Sequence, residues 1–151
     1  MFRAACLALV MIGASLCAQE RPAPKRETPP PLQAAVDRLI DKLKADDLDG
    51  MFTEFRKQAI ITNPEALTLL ELHVKSSRPK VAQNFGQRVD VELVGRYPVG
   101  DSLMRFVYLE KFELGVFVWS FTAYRARQEW RFLGINFTSD VDSVFRTGNQ
   151  R

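Results

Sequence analysis

The chemistry available to this chain is narrow. His73 is the single histidine of 151 residues, and the two cysteines, Cys6 and Cys17, both fall in the segment 1–18. One histidine cannot build a histidine-rich metal site, although it could act as a lone general base. If the leading segment is removed, no thiol remains, which excludes disulfides, thiolate zinc sites and cysteine nucleophiles together. There is no Gly-x-Ser-x-Gly, phosphate loop or dinucleotide glycine pattern, so hydrolase, NTPase and Rossmann chemistries lack their defining parts and no cofactor is expected. The run Asp46-Asp47-Leu48-Asp49-Gly50 resembles a calcium loop only in part. With Gly50 at the sixth position, Ala45 and Arg56 would stand where the first and last ligands belong, and helix capping accounts for the acids instead. Asn136-Phe137-Thr138 spells a glycosylation sequon, but at the end of an expected strand.

The remaining signal is aromatic: 12 of the 16 aromatic residues lie between Tyr97 and Phe145. Most must be core, because aromatic side chains supply the largest buried areas per residue. Tyrosine and tryptophan also need partners for their polar ends. Arg105, Tyr108, Trp119, Tyr124, Trp130 and Asn136 sit on neighbouring expected strands and form the candidate ligand-binding set. Arginines interleaved with aromatics can bind single-stranded nucleic acid, but the net charge is only +3. Removing 1–18, which holds Arg3 and no acid, takes 21 basic residues to 20 against 18 acidic ones. No nucleic-acid partner is expected from so small an excess.

These residues must be positioned by elements that the pattern also specifies. Leu32, Ala35, Val36, Leu39, Ile40 and Leu43 recur with the spacing of an amphipathic helix. After Asp46-Asp47, a second short helix carries Leu48, Met51, Phe52 and Phe55 on one face. Asn63 as cap and Pro64 at the first helical position announce a third, with Leu67, Leu70 and Val74. Its end is expected by Ser77, since Pro79 biases Arg78 away from helical geometry. Beyond Gln87 the period falls to two and β-branched and aromatic residues take over. Four strands are expected, at 88–97, 102–112, 116–125 and 129–138, joined by turns at Pro98-Val99-Gly100-Asp101 and Leu114-Gly115 in an antiparallel meander. Helices first and strands afterwards predict an α+β domain with the helices on one face of a strongly curved sheet.

Ahead of this domain, Met-Phe-Arg precedes an uncharged run from Ala4 to Ala18. The run is shorter than the about 20 apolar residues of a membrane span but suits a secretory signal. The organisation expected is therefore a signal peptide over 1–18, a Pro-rich tether over 19–31, one domain over 32–145 and a flexible tail over 146–151. The destination is export, periplasmic or secreted; acylation of Cys17 is the variant reading. A composition 46% hydrophobic and 26% charged is that of a single globular domain.

The second and third strands are apolar on both sides. Leu103, Val107 and Leu109 oppose Met104, Phe106, Tyr108 and Phe112, while Val116 and Val118 oppose Phe117, Trp119 and Phe121. A sheet with one wet face would alternate cleanly, so a partner subunit, the segment around Val141, Val144 and Phe145, or an apolar ligand is needed to cover the second face.

Three short helices followed by such a sheet resemble the nuclear transport factor 2-like superfamily, a cone-shaped α+β fold. The stretches Asp101-Ser102-Leu103-Met104-Arg105-Phe106-Val107-Tyr108-Leu109-Glu110-Lys111 and Trp130-Arg131-Phe132-Leu133-Gly134-Ile135-Asn136-Phe137 look like those of small exported bacterial members. The superfamily spans isomerases, dehydratases and non-catalytic dimers, and fold does not choose among them. Its enzymes place an acid or base inside the cone, and no position here matches a catalytic motif of theirs. The expectation is an exported, non-catalytic binding or interaction module, homodimeric through the open sheet face, with a small apolar-ligand pocket in the cone. The alternative is a small isomerase or lyase using His73 or one carboxylate for proton transfer.

Overall fold

The computed structural model describes residues 28–148, with side chains through Phe145. The expected signal segment lies outside the described residues, as does all of the tether before Thr28. Three helices, α1 (Pro30–Lys44), α2 (Leu48–Gln58) and α3 (Pro64–Phe85), precede four strands, β1 (Arg88–Val99), β2 (Leu103–Phe112), β3 (Gly115–Ala126) and β4 (Glu129–Thr138). A short helix, α4 (Asp142–Gly148), follows. The strands pair antiparallel in the order β1-β2-β3-β4, which leaves β1 and β4 as edges. The fold is thus α+β, as the change of period requires.

The local signals behave as their chemistry dictates. All six apolar residues of the α1 series are buried. Asp47 caps α2 by accepting from the Gly50 amide at 2.8 Å, and Asn63 caps α3 by accepting from the Ala66 amide at 2.9 Å. Strand ends shift by one or two residues, β1 running on to Val99 through the expected turn residue Pro98, and two helix boundaries also differ from expectation. α1 begins at Pro30, inside the expected tether and two residues before the expected start at Leu32, because proline's fixed φ suits the first helical positions and its missing amide has no partner there to lose. The larger correction is α3, which does not stop by Ser77 but runs through Pro79 to Phe85. Beyond the proline, Val81 is buried and the Phe85 ring meets Phe117 edge-on at 5.3 Å. That packing offsets the lost hydrogen bond and the ring clash of an interior proline. The helix ends at Gly86, whose φ of 77° is one that glycine adopts without strain.

Strand register decides which face is which. Phe106 pairs with Phe121, Tyr108 with Trp119 and Glu110 with Phe117 across β2 and β3, while Phe137 pairs with Trp119 across β3 and β4. These residues share one face, and Phe106, Tyr108, Trp119 and Phe121 join Val36, Leu39, Phe52, Phe55 and Val74 of the helices in a single core. The helices therefore cover the Phe106–Trp119 face. Val107 and Val118 belong to the opposite face, yet each is only 3% exposed.

Candidate functional site

Among the described residues one charged residue is buried, Glu110, with no exposed surface. It sits mid-sheet because the alternation that buries Phe106 and Tyr108 carries the next even position of β2 to the same face. Both its oxygens are occupied. Oε1 accepts from Arg78 Nη1 at 2.8 Å and Oε2 accepts from the Trp119 indole at 2.8 Å. Arg78 comes from the part of α3 that persists to the proline. A second guanidinium, Arg88 on β1, stands 3.7 Å from Oε1. Arg88 also donates to the carbonyl oxygens of Leu43 and Lys44, placing a cation at the C-terminus of α1, where the helix dipole favours it. Asp46 lies 3.8 Å from Arg78 and 3.7 Å from Arg88, at the outer end of the cluster. The four side chains join two helices, the turn after α1 and two strands through balanced charge.

Around them the interior is filled by rings. Trp119 lies parallel to Phe121 at 6.3 Å and tilted against Phe137 at 4.7 Å, and Tyr108 meets Phe121 edge-on at 6.2 Å. Burial pushes the Tyr108 hydroxyl up from 10.0 to about 12, with Asp37 acting in the same direction and Arg96 against it. Five clefts among the described residues open toward the surface, and Glu110, Phe106, Tyr108, Trp119 and Phe121 line none of the five.

The six residues of the candidate ligand set are not brought together. Tyr108 and Trp119 are inner-face core residues. Arg105, Tyr124 and Asn136 project from the outer face, since they pair with Thr122, Leu103 and Ser120 respectively. Trp130 is an inner-face residue near the end of the sheet, where the Arg125 guanidinium lies 5.8 Å from its ring centre. Two-residue alternation separates neighbours in sequence onto opposite faces, so strand proximity alone could not assemble a pocket from them. His73 is an exposed residue of α3 and lines a rim cleft with Ser77, Lys80 and Phe137, without a carboxylate among the lining residues to orient it as a base.

Two of the predicted residues open onto clefts, Trp130 onto two at the end of the sheet and Arg105 onto a third. Arg105 lines a cavity of about 510 Å³ at the free edge formed by β1, together with Tyr97, Val99, Leu103 and Thr122. The Arg105 Nε donates to the Thr122 hydroxyl over a long 3.4 Å, and neither Nη group has a hydrogen bond or ion pair to the other described residues. The pairing of Glu110 with Arg78 and Trp119 was missed at the level of sequence. Its only available signal was an acid inside an apolar alternation, and nothing local names a partner 32 residues away.

Comparison with protein-family models, with curated proteins and with solved structures finds no match to this chain in any of the three.

Proposed function

We propose that the protein is an exported, non-catalytic binding module of the nuclear transport factor 2-like type. The observation that carries this reading is the state of the interior. An acid or base working inside the cone needs a free carboxylate or imidazole facing a substrate-sized space. Glu110, the one acid there, has a hydrogen-bond donor on each oxygen and lies among packed rings. His73 stands outside on α3. Binding is then left to the surface, where clefts lie at the sheet rim. Homodimerisation through the outer sheet face belongs to the same proposal. Because Val107 and Val118 are already buried there, the contact rests on the half-buried Leu109, opposite Val118, and Val116, opposite Lys111, toward the opposite end of β2 from Arg105.

The interior can be tested through Trp119. In a Trp130→Phe variant Trp119 is the remaining tryptophan. Its emission should resist quenching by acrylamide and stay unchanged when small apolar ketones are added. Ready quenching, or a saturable change with a ketone that Glu110→Gln abolishes, would show an open reaction chamber and replace this reading with the isomerase or lyase one.

A further inference from the structure

Resting on the reading of the protein as a surface-binding module, we infer that the cleft beside Arg105 binds a small organic carboxylate with an apolar body, such as an alkyl or aryl acid. Its volume, about 510 Å³, falls within the range of about 300–1,000 Å³ typical of small-molecule sites. Its lining contains two arginines, Arg96 and Arg105, and no acidic residue. Among the described residues neither guanidinium has a carboxylate within ion-pair distance, although Glu and Asp partners are found for Arg38, Arg56, Arg78, Arg88 and Arg131. The cation that the cleft presents is thus not consumed internally. Arg105 bonds Thr122 through Nε alone, so its two Nη groups remain for the planar fork that matches a carboxylate.

The apolar half of the cleft is also shaped. β1 is irregular between Leu93 and Gly95, and Tyr97 follows two positions later on the same side. A Cβ on Gly95 would lie 2.8 Å from the Tyr97 hydroxyl oxygen and 2.9 Å from Cζ of its ring, so the Tyr97 side chain lies over the bare backbone of Gly95. Glycine weakens a strand interior, and here its lack of a side chain makes room for the ring. The result is a flat aromatic wall beside Val99 and Leu103, next to the guanidinium. Val99 is 64% exposed, which makes apolar surface available to a ligand tail.

The probe is octanoate, titrated calorimetrically into the purified protein, with octanol as the uncharged control of equal chain length. Saturable binding of octanoate is expected, with octanol weaker by about tenfold or more, because the charge-assisted bonds to Arg105 are missing. Arg105→Gln should weaken octanoate by a similar factor and leave octanol unchanged. Gly95→Ala, which displaces Tyr97 without demanding a left-handed backbone, should weaken both ligands while circular dichroism stays that of wild type. Equal affinity for the two ligands, an Arg105→Gln variant that binds octanoate as tightly as wild type, or no saturable heat up to about 1 mM would overturn the assignment. So would a dimer that Arg105→Gln dissociates and octanoate does not, since the cleft would then belong to a second copy. Any of these results beside a sealed Trp119 rejects the carboxylate site and leaves the binding-module reading standing. An open interior at Trp119 rejects that reading instead.

Discussion

Removing the carboxylate of Glu110 should be among the most damaging single changes in this protein. Glu110→Ala deletes two hydrogen bonds of 2.8 Å, one of them from a guanidinium, at a site with no solvent exposure. It also strands the Arg78 guanidinium, whose side chain is 17% exposed and whose Nε and Nη2 already lack hydrogen-bond partners. Asp46 at 3.8 Å is 62% exposed and compensates weakly. Breaking a buried ion pair from one side costs about 3–5 kcal/mol, most of it the penalty of leaving the other charge unpaired. That is a large part of the about 5–15 kcal/mol by which a domain is stable. The partner's response gives the sharper check. Adding Arg78→Met to Glu110→Met removes both charges and fills the space with unbranched apolar side chains. Stability should return to within about 1–3 kcal/mol of wild type: apolar replacements of buried pairs are often neutral or better, but the buried Trp119 indole N–H is left without its acceptor. Equilibrium urea unfolding, followed by far-ultraviolet dichroism and by tryptophan emission, measures Glu110→Ala, the single variants Glu110→Met and Arg78→Met, and the double variant, and an unchanged slope shows that the folded state is comparable. If Glu110→Ala lies within about 1 kcal/mol of wild type, or if the double variant costs the sum of the two single ones, the pair is not the coupled, desolvated unit described here.

Phe106→Ala should cost about 3–5 kcal/mol, since the ring is fully buried between β2, β3 and the helices and its loss leaves a cavity; an unchanged urea midpoint would refute the register that places it inward. Acid stability should depend on Glu71. Burial pushes its carboxyl up, but hydrogen bonds from Lys75 and Arg56 more than reverse this, so its folded value lies below the ordinary 4.5. A depressed acid contributes stability above its unfolded value and loses it as pH falls through the folded one. Glu71→Gln should therefore flatten the loss of stability below about pH 4.5, and parallel acid limbs for the two proteins would contradict the assignment.

Much of the fold was legible because its signals are local. The spacing of Leu32, Val36, Leu39 and Leu43 defines one helical face whatever surrounds it, and Asp47, Asn63 and Pro64 satisfy or relieve backbone groups within their own turns. The change from a period of 3.6 to one of two likewise marks β1 through β4 without reference to any partner. The candidate ligand set was legible only as residue types. Arg105 and Trp130 open onto different clefts, while Tyr108 and Trp119 are core and Tyr124 and Asn136 lie on the outer face.

What tertiary structure alone decided depends on contacts between distant segments. The sequence placed apolar residues on both faces of β2 and β3, so alternation could not say which face the helices would take. Pairing Phe106 with Phe121 and packing both on α1 and α2 settled it. α3 passes Pro79 because Val81 and Phe85 find the sheet, and a local rule about proline cannot weigh a contact to Phe117. Glu110 in an apolar strand looks like an error until Arg78 and Trp119 arrive from other elements to satisfy it. Periodicity and capping act over a few residues of chain. The desolvation and pairing of a charge act through space, and only the folded arrangement determines which groups meet.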